Sequence, residues 1–310
     1  MMSTHITTDD HGRMIATRTY PHVRAVMVAD SIADDVRLVT IETEAPRWIL
    51  AEINTHRVLS KSSQSSRAVP MAARIRQVRS NPVVPAEWGG EQRGMSAGGP
   101  LASDTARKAE EVWLLAAAHA AQSAERLEAL GLHKQWSARI LEPYLTVRTA
   151  WTGTEWSNLL ALRLSPSAQP EFRELAHCIA ALLEHHQPTG RYVHTPYAPP
   201  ELCDADRALV SAARCARVSY WRSDGRPSTV ADDLALAWRL LDDGHMSPFE
   251  HVATLGYVEP PKRSNFREWS QLRKHLPGER VHGSSALSAE RRWAMACAEM
   301  GLLTAAGARP

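Results

Sequence analysis

Apolar and polar positions change period several times along the chain. From Val36 to Thr43 the residues are β-branched and partly alternating, which predicts a strand, and a shorter apolar run spans Val23 to Val28. Pro46 can open a helix, and Trp48, Ile49 and Ile53 give it an apolar face. Met71–Val78 reads as another short helix. A long one begins at Asp104, read as its cap, and runs to about Leu130, where Gly131 stops it. Further helices are predicted over Lys134–Leu141, Glu155–Leu164, Ala168–His186, Asp206–Val218, Val230–Asp243 and Ser288–Leu303, with a strand over Val252–Val258. Residues 1–20 are polar and expected to fray. Residues 80–102, rich in Gly and Pro, and 187–204, with four prolines, read as two long mobile loops. The pattern predicts an α+β fold, helix-rich with a small antiparallel sheet, in a single domain over 1–310.

Composition narrows the classes. The chain has 310 residues, 44% hydrophobic and 23% charged, ordinary for a globular protein. A net charge of +2 speaks against a broad nucleic-acid surface. Cys178, Cys203, Cys215 and Cys297 have no C-x-x-C spacing and suggest neither zinc nor a disulfide framework, so a cytoplasmic location is expected. No apolar run resembles a signal peptide or a membrane span. His177, His185 and His186 do not place three ligands on one helix face, so no metal is expected.

One stretch stands out. His56 to Arg67 holds the cations Arg57, Lys61 and Arg67 and five serines, without an acid. Guanidinium forks, hydroxyls and backbone N–H groups suit phosphate. A solvated Ser-rich loop is the plain alternative.

Other segments resolve that choice by resemblance. His56-Arg57 with Ser60, and Ser65 with Arg67, resemble the signature of the flavin-dependent thymidylate synthases. Ser137 to Pro143 (SARILEP), Leu162 to Glu171 (LRLSPSAQPE), Ala216 to Tyr220 (ARVSY) and Gly244 to His251 (GHMSPFEH) resemble four more of that family's segments. In ordinary members the last two precede the HR motif, whereas here they follow it. The order resembles a circularly permuted, phage-type branch, marked by Thr55-His56-Arg57, by Trp88-Gly89 with Gln92, Gly94 and Met95, and by Asn265-Phe266 with Trp269. Uridylate C5-methylases of polyoxin-type nucleoside antibiotic biosynthesis belong to the same branch.

The resemblance implies reductive C5-methylation of a uridine nucleotide, with methylene-tetrahydrofolate as carbon donor, FAD as cofactor, NADPH as reductant, and a homotetramer with shared active sites. Residue by residue it implies that Arg139 and Arg163 hold the nucleotide and stabilise charge on the pyrimidine. Ser65, Ser66 and Arg67 match the phosphate turn. His56, Arg57, Asn158, Ser219, His245, Ser247 and Glu250 match the FAD positions, and the loop with Gln92, Gly94, Met95 and Ser96 matches a mobile substrate loop. No cysteine nucleophile is implied, and none of the four is followed by histidine. His251 reads as a structural hydrogen-bonding residue.

The chain also departs from the family pattern. Ser62-Ser63 replaces Asn-Glu, Ala68 replaces Tyr, and Glu52 aligns with a Gln used on the pyrimidine. Small side chains at Ser62, Ser63 and Ala68 would leave room for a ribose 2′-OH, so that UMP is accepted as well as dUMP. A strict dUMP enzyme, or a homologue that binds flavin or nucleotide without turnover, are the alternatives.

Overall fold

In the computed structural model the described residues are 3–218, 228–256, 264–277 and 287–302. The N-terminal residues form four antiparallel strands: β1 (His5–Thr8), β2 (Met14–Thr17), β3 (Arg24–Ala33) and β4 (Val36–Pro46). The expected fraying is thus replaced, from residue 5, by a hairpin in which exposed β1 is held by backbone pairing (Thr8 opposite Met14) to β2, whose Ala16 is buried in the core. Asp34 and Asp35, with φ of 45° and 58°, make the primed turn that matches the twist of the β3–β4 hairpin.

Pro46 opens a 3₁₀ turn (Arg47–Ile49) followed by α1 (Leu50–Thr55). Then come β5 (Ser60–Ser63), α2 (Met71–Ser80), α3 (Ser103–Ala129) and α4 (Lys134–Ser137). Ala102 precedes α3, and Asp104 lies in the first turn, so it favours the helix dipole without capping it. The helix expected to reach Leu141 instead tightens into a 3₁₀ segment over Ala138–Tyr144, with Pro143 inside it. Next are β6 (Thr146–Gly153), α5 (Ser157–Arg163), α6 (Pro170–His185), β7 (Thr189–Gly190), β8 (Val193–His194), α7 (Asp204–Arg217), α8 (Val230–Asp242), β9 (Ala253–Leu255), β10 (Trp269–Gln271), α9 (Leu272–His275) and α10 (Ala289–Met300).

The main sheet runs β1-β2-β3-β4-β6-β5, with β7 parallel to β3, and a second sheet runs β10-β9-β8. It is larger than the small sheet the sequence suggested. β4 is covered on both faces. Val39, Ile41 and Ala45 meet Trp151 and the apolar side of α6 (Phe172, Leu175, Ile179, Leu182). Each large apolar side chain buried this way contributes about 1.5–3 kcal/mol. Leu38, on the other face, packs on Ala253, Phe266 and Trp269. The C-terminal elements form their own core, with Leu236, Leu240, Phe249 and Trp293. A polar tie joins them to the sheet. The Tyr197 hydroxyl donates to Glu42 at 2.8 Å, and Arg214 donates to the Tyr197 carbonyl at 2.7 Å.

β5 has two different sides. Ser60 and Ser62 face the C-terminal elements, accepting from Gln271 and bonding His251 respectively, while Lys61 lies over Trp151 and Ser63 bonds Thr149. Gly153 lets Leu59 enter this strand, because a Cβ there would sit 2.3 Å from Leu59 Cδ2. Among the described residues no helix is long and apolar enough to cross a membrane. Cys178, Cys215 and Cys297 are buried core residues. Burial pushes the Cys178 and Cys297 thiols up to about 12 and raises that of Cys215, so none is a ready nucleophile.

Candidate functional site

The end of β5 opens into a cavity of about 430 Å³ lined by Arg47, Ser63 to Arg67, Arg139, Trp136, Gln135 and Leu50. The turn that forms its floor follows from the local sequence. Gln64 still pairs with the Arg148 carbonyl at 2.8 Å; then Ser65 accepts from the Ala68 and Arg67 backbones (3.2 Å at its carbonyl, 3.3 Å at Oγ). Pro70 then redirects the chain into α2. The expected phosphate residues Ser65, Ser66 and Arg67 therefore line one cavity with Arg139, although some seventy positions separate them in sequence.

The cavity's field is positive. Arg139 and Arg47 share one carboxylate, Glu142, at 3.0 and 3.3 Å. Behind the turn, Arg74 is 4% exposed and donates from Nη2 to the Ser65 carbonyl at 3.3 Å. Arg47 and Arg74 went unrecognised in the sequence. Arg74 carried a readable signal: with Met71, Ile75 and Val78 it falls on the buried stripe of α2, where an arginine is out of place.

A second cluster adjoins the HR turn. The Arg163 Nε donates to His56 Nε2 at 2.9 Å, its Nη2 reaches Thr55 Oγ1 at 3.4 Å, and its guanidinium lies 4.5 Å over the Phe172 ring. His56 meets the same ring edge-on at 5.6 Å. Burial, and then the nearby Arg163 and Lys61 charges, bring the His56 imidazole down to about 4, so it is neutral and accepts from Arg163. Lys61 donates to the His56 and Leu59 carbonyls, and its burial lowers the ammonium to about 8. Arg163 is not among the residues lining the cavity, so Arg139 and Arg163 occupy separate places.

The other expected residues are scattered around this core. Arg57, Asn158, His245 and Ser247 are exposed. Glu250 is ion-paired with Arg273. Ser219 lies outside the described residues. In the 80–102 segment, Gln92 Nε2 donates to the Ser96 and Ala97 carbonyls at 2.9 and 3.0 Å, Gly94 has φ of 117°, and Met95 is fully exposed. Ser96 Oγ donates to the Ser167 carbonyl at 3.4 Å, which sets this loop beside the segment following Arg163. Of the departures, Ser63 lines the cavity, whereas Ser62 points away from it to His251. Among the described residues no group of three or more His, Cys, Asp and Glu could hold a metal ion.

His251 belongs to a buried relay that crosses the sheet. Ser62 Oγ bonds His251 Nε2 (2.9 Å), and His251 Nδ1 bonds Thr152 Oγ1 (2.8 Å). The relay then passes through Thr40 Oγ1 (2.7 Å) to His194 Nε2 (2.8 Å) and ends at Ser31 Oγ (2.9 Å). It also places the Ser247–Glu250 turn against β5. Burial lowers His251 to about 4 and His194 to about 3, against an ordinary 6.5. Unfolding releases these rings to take up protons, so their contribution is intact above about pH 6.5 and is lost as pH falls toward 4. Each ring, and His56 with them, costs about 1.4 kcal/mol per pH unit in that window. The urea midpoint is therefore expected to drop steeply between pH 6.5 and 5. A flat profile would remove the relay from the account of stability.

No curated relative matches the chain. Two crystal structures of the UMP/dUMP methylase PolB from Streptomyces cacaoi resemble it. The one bound with 5-Br dUMP has 18% identity and a TM-score of 0.38 over 47% of this chain and 66% of that chain, just under two thirds. The one bound with 5-Br UMP has 14% identity and a TM-score of 0.42 over 52% and 88%. The family model described as thymidylate synthase complementing protein matches residues 35–189, half of the chain, a span that contains the cavity, the HR turn and Arg163. The chain belongs to the thymidylate synthase complementing protein family.

Proposed function

We propose that this chain catalyses reductive C5-methylation of a uridine nucleotide, dUMP and UMP, taking the carbon from methylene-tetrahydrofolate and reducing equivalents from NADPH through FAD. The observation that carries the reading is the positive cavity floored by Ser65, Ser66 and Arg67 and walled by Arg139, inside the family-matched span. A phosphate would meet hydroxyls, backbone N–H groups and guanidinium forks there.

The residues available for FAD are Arg57, Asn158, His245 and Ser247, which are exposed and, among the described residues, in no ion pair. Their uncommitted donors fit a large polar cofactor, which when bound supplies the hydride chemistry. Arg163 contributes a fixed cation near the reacting base, its plane set by Phe172 and its Nε by neutral His56. Gln92 to Ser96 close over the substrate.

The reading includes one catalytic domain over 1–310, a homotetramer, and the permuted order. The last is supported by where the matched span ends: Ala216–Tyr220 and Gly244–His251 lie beyond residue 189. Mass analysis of the products from UMP and from dUMP, with methylene-tetrahydrofolate, FAD and NADPH, tests it. A methylated base from both nucleotides is expected. Unmodified nucleotide in both reactions, from flavin-loaded protein, sinks the proposal, and product from dUMP alone removes the UMP part.

A further inference from the structure

We propose that Arg74 is a positioning residue of the anion cavity, and that Arg47, Arg74 and Arg139 together set the site for a phosphate monoester in its dianionic form. Burial without a partner of opposite charge is the first ground. Arg74 is 4% exposed, its Nε has no hydrogen-bond partner, and among the described residues no carboxylate stands within ion-pair distance of it. A buried guanidinium left that way is costly unless something supplies the opposite charge.

The second ground is the local charge count. The carboxylate that Arg74 senses is Glu142, and Glu142 is already shared by Arg47 and Arg139. With Arg67, which lines the same cavity, four cations stand against this one carboxylate, a surplus of three positive charges. A phosphate monoester near neutral pH carries about −1.5 to −2. The crowding is felt at Arg74 itself, where burial and the Arg47 and Arg139 charges bring the guanidinium down to about 10. The third ground is position. Arg74 holds the Ser65 carbonyl from behind, fixing the turn whose serines line the cavity, so it acts through Ser65 and Ser66.

The ligand class rests on the nucleotide reading, but the charge inference is tested without it. Wild type, R74M and R74K are titrated at pH 7.5 with inorganic phosphate, with UMP and with the monoanionic methyl ester of UMP, by calorimetry and thermal melting. Inorganic phosphate is expected to raise the wild-type Tm and to bind R74M about tenfold or more weakly, with R74K between. In phosphate-free buffer R74M should melt no lower than wild type, because a buried unpaired cation has gone. UMP should bind the wild type at least tenfold better than its methyl ester, with KM for UMP raised in R74M and kcat changed less than about threefold. R74M melting equally lower with and without phosphate, at unchanged phosphate affinity, overturns the proposal. So does R74K with wild-type phosphate affinity, should R74M not fold. Phosphate binding that depends on Arg74, with no methylation of UMP or dUMP, keeps this inference and rejects the proposed reaction.

Discussion

Replacing Arg163 with Ala is expected to lower kcat/KM for uridylate methylation by about 10²–10³-fold while leaving the melting temperature nearly unchanged. Three contacts fix this guanidinium: Nε on His56, Nη2 on Thr55, and the Phe172 ring beneath it. Its Nη1 has no protein partner among the described residues, so one donor is held ready for a ligand. A donor held in place before substrate arrives costs nothing to orient during the reaction, which is why its loss falls on turnover. Lys has one point charge and no plane to lie on Phe172, so R163K should recover little. The role depends on His56 staying neutral, since a protonated ring cannot accept from Arg163. H56N, which keeps an acceptor, should therefore outperform H56A. Steady-state rates with UMP and dUMP decide the matter; R163A within about threefold of wild type would leave Arg163 a packing residue.

The largest stability loss should come from His251→Leu, about 3 kcal/mol by urea denaturation at pH 7.5. Leucine fills much of the volume but leaves Ser62 Oγ without its partner and takes from Thr152 one of its two bonds, both in a region closed to water. Each buried polar group so orphaned costs about 1–3 kcal/mol. His251→Asn offers a donor and an acceptor and should restore part of the loss. The same Leu variant should also show a shallower acid limb, since one fewer ring takes up a proton on unfolding. A loss under about 1 kcal/mol would mean the relay relaxes around the gap.

What could be read from the sequence follows from how each element is buried. α8 has one apolar stripe and a wet opposite face, and α6 repeats apolar residues at Phe172, Leu175, Ile179 and Leu182, so their period was plain. β6 was not anticipated. Its residues Val147 and Thr149 to Gly153 are buried on both faces of the sheet, and buried threonines paired with one another look polar in sequence. The N-terminal hairpin escaped notice because β1 is exposed throughout and owes its place to backbone pairing. In the site, Ser65 to Arg67 and Arg139 were legible because short local patterns carry them. Arg47 and Arg74 act through tertiary convergence alone, and only the misplaced charge on the α2 stripe hinted at one of them. In sequence, Ser62 and Ser63 read together as room for the substrate. Strand geometry separates them, sending Ser63 to the cavity and Ser62 to His251.

That separation has a consequence for how the segment can vary. β5 is four residues long; its even positions, Ser60 and Ser62, bond Gln271 and His251, while of its odd positions Ser63 lines the cavity and Lys61 donates to the His56 and Leu59 carbonyls over Trp151. Single substitutions disturb one function at a time. Losing or gaining one residue between Arg57 and Ser60 would shift the parity, present Ser62's position to the cavity, and turn Lys61 inward toward the neutral histidine. Length, more than identity, is what this strand has to keep.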